Sequence, residues 1–188
     1  SNRVLALYWD SGGEFWIGTE AGGLNRFNPS QEIFTRFVHD GEDPFSLSND
    51  TAWEIIESSD GSLWVATLGA GLNRWSAEDR VSGKVSFTHL TKGDGLRSDT
   101  IYGILEDGSG HMWLSGNRGL SELIPGSNRI RHFDWRNGIR AEEFNFGARL
   151  KSRSGLLLFG GTEGMVVFNP EDVGINTHMP SIVLSASS

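Results

Sequence analysis

The 188-residue chain has no cysteine, 5 prolines, 2 tyrosines and 16 lysines and arginines against 24 aspartates and glutamates. With no cysteine, disulfides say nothing about redox compartment, and periplasm and cytosol fit about equally. The deficit of positive charge, a net −8 with pI near 5.1, argues against a nucleic-acid or anionic-membrane partner. No apolar run approaches the length of a membrane-spanning helix, and no signal peptide heads the chain. If the protein reaches another compartment, the segment that sends it there is expected outside this sequence. What is abundant is glycine (25), phenylalanine (11) and tryptophan (7). That mixture suits many tight turns and bulky anchors rather than long helices, in a chain long enough for one ordinary domain.

One phrase recurs. Gly12 to Phe27 reads GGEFWIGTEAGGLNRF, Asp60 to Trp75 reads DGSLWVATLGAGLNRW, Gly108 to Leu123 reads GSGHMWLSGNRGLSEL, and Arg153 to Phe168 reads RSGLLLFGGTEGMVVF. Gly13, Gly61, Gly110 and Gly155 stand three residues before the anchors Trp16, Trp64, Trp113 and Leu158, which follow one another at intervals of 45 to 49 residues. A self-similar period of this length marks a propeller, solenoid or array. Ser1-Asn2, Ser48-Asn49 and Ser98-Asp99 precede the Trp anchors by 14 to 16 residues, so the chain begins at a repeat joint.

Each repeat divides into four expected strands. The first is a short apolar run (Val4 to Trp9, Ala52 to Ile56, Ile101 to Leu105), which reads as fully buried. A turn rich in Asp, Ser and Gly follows, then the anchor strand, then a third strand (Leu24 to Phe27, Leu72 to Trp75, Leu120 to Leu123). The fourth (Ile33 to Phe37, Val85 to Leu90, Ile130 to Phe133) alternates with polar residues, as a half-exposed outer strand does. No segment longer than a turn or two has helical periodicity. Four strands per repeat of about 47 residues describe the blades of an all-β propeller. A Trp anchor between blades buries on the order of 200 Å², roughly 5 kcal/mol as an upper bound.

The (D/S)-x-x-G-x-(L/M/F)-W-(I/V/L) phrase, the G-G-L or G-L close and the joint Gly95-Leu96-Arg97-Ser98-Asp99 together resemble the two-component regulator propeller family. These are periplasmic sensor repeats of hybrid histidine kinases and related membrane receptors. The resemblance covers residues 1 to about 174. Phe146-Gly147-Ala148, the fourth repeat and Phe168-Asn169-Pro170 look like the family's final blade, where the anchor Trp is usually replaced. Met179-Pro180-Ser181-Ile182-Val183-Leu184-Ser185 resembles the entry strand of the immunoglobulin-like Y-Y-Y domain that follows such propellers. The expected organisation is four blades (about 1–47, 48–97, 98–142 and 143–174), then a linker and the start of that domain at 175–188. Family rings need about seven blades, and four is the lower edge for propellers. A strained four-blade ring, an open arc and two chains completing an eight-blade ring all stay open. An open arc exposes too much apolar surface for a monomer, so self-association, a dimer being one form, is expected.

The resemblance implies a non-catalytic, extracytoplasmic ligand-sensing fragment of a bacterial transmembrane receptor, periplasmic, with its kinase or diguanylate cyclase output and its membrane contact outside this chain. A glycan or other small ligand is the partner class it suggests. The alternatives are a polysaccharide lyase or hydrolase and a protein-interaction platform. No catalytic set, metal or cofactor is expected. His39, His89 and His132 recur late in successive fourth strands, but blades fan outward and such imidazoles diverge rather than converge on a metal at roughly 2 Å. Asp94, Asp99, Glu142 and Glu143 sit in repeated joints, where acid or amide caps a turn. The sialidase Asp-box does not fit the Asp-to-Gly spacing, and the Gly-rich phrases open no helix that would cradle phosphate. Binding remains, in the loops entering the first strands and between second and third strands: Trp53, Tyr102, Trp135, Arg118 and Arg140 offer aromatic faces and bidentate donors there.

Overall fold

The computed structural model describes residues 2–127, 129–139 and 143–174. The expected start of a following domain at 175–188, and with it Ser1, Arg140 and Glu142, lies outside these residues. The described chain is β-sheet with one short helix, and it divides into two compact units, residues 1–100 and 101–188.

The first unit holds two sheets. β1 (Val4–Trp9), β2 (Phe15–Thr19), β3 (Leu24–Asn28) and β4 (Ile33–Phe37) form one. β5 (Ala52–Glu57), β6 (Leu63–Thr67), β7 (Leu72–Trp75) and β8 (Phe87–Leu90) form the other. Both are antiparallel meanders in chain order, the topology that short hairpin connections permit. Trp16 projects from the first sheet onto Trp75 of the second, ring centroids 6.0 Å apart at 85°, and Phe37 and Phe87 complete the cluster. Trp16 and Trp64 are 1% exposed.

In the second unit, β9 (Ile101–Glu106), β10 (Met112–Gly116), β11 (Gly119–Ile124) and β12 (Arg129–Phe133) form a third meander. β13 (Phe144–Lys151), β14 (Leu157–Gly161) and β15 (Gly164–Phe168) form a sheet of three strands among the described residues. Trp113, fully buried, meets Phe168 of that sheet at 4.7 Å, which repeats the Trp16–Trp75 contact. Each unit thus stacks two twisted sheets through an anchor indole, which is propeller-blade packing.

Three differences from the sequence reading have physical causes. β1 is not buried: Leu7 and Trp9 are about 60% exposed, because only the Trp16 side of its sheet is covered within the unit. Leu158 is only partly buried between fully buried Leu157 and Phe159. Trp16 and Trp113 are covered by the next sheet in chain order, and no sheet follows Leu158 among the described residues. Finally, the chain between β7 and β8 forms a helix, α1 (Ala77–Ser82), so β8 begins at Phe87 rather than at Val85. Ser76 caps it by accepting from the Asp79 amide, and Gly83 in the left-handed region ends it.

Candidate functional site

The turn that precedes each anchor strand needs a positive φ. Gly13, Gly61, Gly110 and Gly155 supply it, at 81° to 88°. The same turn satisfies the buried indole N–H. Trp16 Nε1 donates to Asp10 Oδ2 at 2.7 Å, Trp64 Nε1 to Ser58 Oγ at 2.9 Å and Trp113 Nε1 to Asp107 Oδ2 at 2.9 Å. Asp10, Ser58 and Asp107 therefore hold one structural position, six residues before the anchor. The Ser58 hydroxyl in turn donates a hydrogen bond to Asp60 Oδ1 at 2.6 Å. Burial pushes the Asp60 carboxyl up, but hydrogen bonds from Ser58 and Ser62 and the Arg74 guanidinium outweigh it and hold the group below its usual value.

A cleft of about 340 Å³ opens beside these turns in the first unit, lined by Glu14, Trp16, Arg26, Glu57, Asp60 and Arg80 among others. Arg80 reaches into it from α1. Its guanidinium donates to Asp10 Oδ2 and Glu57 Oε1 at 2.7 Å each and to the Gly61 carbonyl, and it lies 5.8 Å from the Trp16 ring. The Asp10 side chain is 1% exposed, so this arginine supplies the cation that a buried carboxylate requires. Arg26 faces Glu14 at 3.4 Å on the opposite wall.

The second unit has a corresponding cleft of about 320 Å³, with different chemistry. Asp107 Oδ1 accepts the amides of Ser109 and His111. His111 Nδ1 lies 2.8 Å from Glu122 Oε1, and Arg131 Nε donates to Glu122 Oε2 at 2.5 Å. That hydrogen bond, with the negative charge behind it, raises the affinity of the Arg131 guanidinium for its proton further. Lys151 and Glu171 line the other wall. Register explains the difference: the residue paired across from the anchor is Arg26 and Arg74 in the first two sheets but Glu122 in the third. The signal was present in the sequence, as Leu24-Asn25-Arg26, Leu72-Asn73-Arg74 and then Leu120-Ser121-Glu122.

The residues singled out from sequence fall elsewhere. Trp53 is half-buried in β5 of the first unit. Tyr102 is partly buried and packs against the second unit's core. Arg118 is exposed in the turn between β10 and β11. Trp135, 61% exposed, opens a 3₁₀ turn with the Arg136 guanidinium 4.9 Å from its ring. Tyr102 thus touches the core while keeping part of its surface accessible, and Trp135 presents an aromatic face to solvent. In the first unit the loops between second and third strands meet the chain entering β5: Gly23 N bonds Asp50 O, Ala21 N bonds Thr51 Oγ1 and Leu68 N bonds Thr51 O. Two of the joint acids, Asp94 and Asp99, cap turns. Asp94 Oδ2 accepts from the Thr91 amide and hydroxyl, and Asp99 Oδ1 from the Lys92 amide. His39, His89 and His132 are each hydrogen-bonded separately, to Leu47 O, Ser46 O and Ser121 Oγ.

Among the described residues no helix is long and apolar enough to cross a membrane. Residues 1–21 and 95–118 match the family model described as two component regulator propeller. Over 98% of its length the chain is 28% identical to histidine kinase P4 of Formosa agariphila, of which it spans 13%. It superposes over its full length on the extracellular domain of the putative hybrid two-component system BT3049 of B. thetaiotaomicron, with TM-score 0.79 and 30% identity. The corresponding domain of BT4673 from the same organism gives TM-score 0.79 at 23% identity. The chain spans about a quarter of each of these two structures, 26% and 25%. In sequence at residues 1–21 and 95–118, and in fold along its length, the chain is similar to the two-component regulator propellers.

Proposed function

We propose that the chain is a non-catalytic, ligand-sensing segment on the periplasmic side of a bacterial transmembrane receptor of the hybrid two-component kind. The observation that carries this reading is the 30% identity to the BT3049 extracellular domain along the whole chain. Kinase output belongs to other parts of such a receptor. Of the acids that a glycan-cleaving reading would use, Asp94, Asp99, Glu142 and Glu143, the first two are engaged as turn caps, which supports binding over catalysis. A glycan is the ligand class we propose, with Trp135 as its stacking platform and Arg118 as a hydrogen-bond donor. Such a ligand drives signalling only if it binds two arrangements of the receptor with different affinity. The test is a thermal-shift screen of the chain against acidic and neutral oligosaccharides, with product analysis of the same mixtures. The expected result is a raised Tm with at least one glycan, lost in Trp135→Ala, and no cleavage. Released reducing ends or unsaturated uronates would overturn the non-catalytic reading, and a screen without any shift would remove the glycan.

A further inference from the structure

The two clefts hold the same structural carboxylate in different company. Asp10 Oδ2 accepts two donors, the Trp16 indole and the Arg80 guanidinium. Asp107 Oδ2 accepts the Trp113 indole, and His111 Nδ1 stands 3.7 Å from it, beyond hydrogen-bonding reach. In the second unit the wall that corresponds to α1 is a 3₁₀ turn, Pro170–Gly174, whose side chains include Glu171 and no arginine. Among the described residues, the lone pair that Asp10 gives to a cation is thus available on Asp107. Beside it the usual Arg has become Glu122, so a second carboxylate, 2% exposed, faces the same point. Arg131 neutralises one oxygen of Glu122 and leaves Oε1 directed at the imidazole.

We propose that Asp107, His111 and Glu122 form a divalent-cation site, of the zinc class, in this cleft. Their donor atoms lie within 4.8 Å of one another, with His111 Nδ1 at 2.8 Å from Glu122 Oε1 and 3.7 Å from Asp107 Oδ2. Bonds of about 2.0–2.1 Å to a tetrahedral ion put neighbouring ligands roughly 3.3 Å apart, between those two separations. One imidazole and two carboxylates form a mixed nitrogen and oxygen set suited to Zn²⁺ rather than to the all-oxygen sites of Ca²⁺ or Mg²⁺. A metal at this point needs His111 Nδ1 unprotonated, so the ring proton sits on Nε2, any proton displaced from Nδ1 leaves to solvent, and the hydrogen bond to Glu122 gives way to a shared metal. Arg131, bonded to the other Glu122 oxygen, orients that ligand. The fourth position faces the cleft and is left to water or a ligand group.

Calorimetric titration of the chelator-treated chain with Zn²⁺ alone tests the site, with X-ray absorption of the loaded protein as a second readout. One equivalent is expected to bind, with one nitrogen and at least two oxygen neighbours around the metal. His111→Ala and Glu122→Gln should each weaken binding by more than about tenfold. His89→Ala, whose imidazole bonds a backbone carbonyl, should leave it unchanged. No binding, binding that survives both substitutions, or a shell with two or more imidazoles would overturn the proposal. The absorption measurement needs no variant, so a misfolded His111→Ala would not leave the question open. The outcome is independent of the glycan screen.

Discussion

Arg80 shows how much one side chain can carry in a small sheet stack. It joins the turn of the first sheet to the turn of the second through Asp10 and Glu57, whose side chains are 1% and 10% exposed. Removing a buried ion's partner leaves an uncompensated charge, which costs about 3–5 kcal/mol. Arg80→Ala is therefore expected to lower the urea midpoint by that equivalent. Arg3→Ala, which breaks a pair with Glu20 whose side chains are 71% and 42% exposed, should change stability by about 1 kcal/mol or less. Equal effects in urea denaturation would contradict the strap role of Arg80. The contrast also marks what was legible. Trp16, Trp64 and Trp113 announce themselves because a bulky indole three residues after a turn glycine recurs in phase. Arg80 lies on no repeat, and its partner Asp10 is 70 residues away, so local pattern carries no trace of it. The Asp107–His111–Glu122 grouping was half legible. The Arg-to-Glu change stands out when repeats are compared, but the approach of the imidazole follows only from the hairpin's register.

At the scale of the element, the repeat phrase is a folding unit in which two kinds of glycine do different jobs. Gly71 has φ of 80°, and a Cβ there would stand 2.1 Å from the Leu90 carbonyl oxygen. Gly69, in the same loop, has φ of 68° and open space around that position. Gly69→Ala bears backbone strain alone, about 1–2 kcal/mol. Gly71→Ala adds overpacking of about 1–3 kcal/mol against a carbonyl that β8 holds in place. Thermal or urea unfolding should therefore rank Gly71→Ala clearly below Gly69→Ala; the reverse order would refute the close-approach argument. The anchor strands and the strands after them were readable because turn glycines set them off, and Ile33–Phe37 falls where alternation put it. Burial was not readable for β1, since Leu7 and Trp9 look as apolar as the covered Ile55 and Ile104. Whether an apolar strand is covered depends on which sheet lies against it, and the strand's own residues do not encode that. The helix α1 was missed because six residues are too few to show a period, although Ser76 and Gly83 bracket it with capping chemistry.

For the molecule as a whole, the first sheet poses a solubility problem. Cross-strand pairing puts Leu7 beside Ile17, Trp9 beside Phe15, Phe15 beside Phe27 and Phe27 beside Phe34, all on the side opposite Trp16. Trp9 and Phe15 centroids are 5.6 Å apart and those of Phe27 and Phe34 are 4.6 Å apart, so these rings already form a continuous apolar surface. Leu7, Trp9 and Phe34 are 59–63% exposed. A contiguous apolar patch of this kind on a soluble chain marks an interaction surface, and apolar burial against another blade would stabilise it by about 25 cal/mol per Å². We propose that the isolated chain covers this face with a second copy of itself. Sedimentation over a range of concentrations should then show a species heavier than the 20.6 kDa chain. Phe34→Glu places a charge within this face, on its β4 edge, and should shift the protein to monomer, while the far-ultraviolet spectrum keeps its β signature. Glu would stay solvated in the monomer, where Phe34 is already exposed, so the substitution should cost association and leave folding intact. A wild-type chain that sediments as a monomer at every concentration, or a Phe34→Glu variant that still associates, would refute pairing through this face.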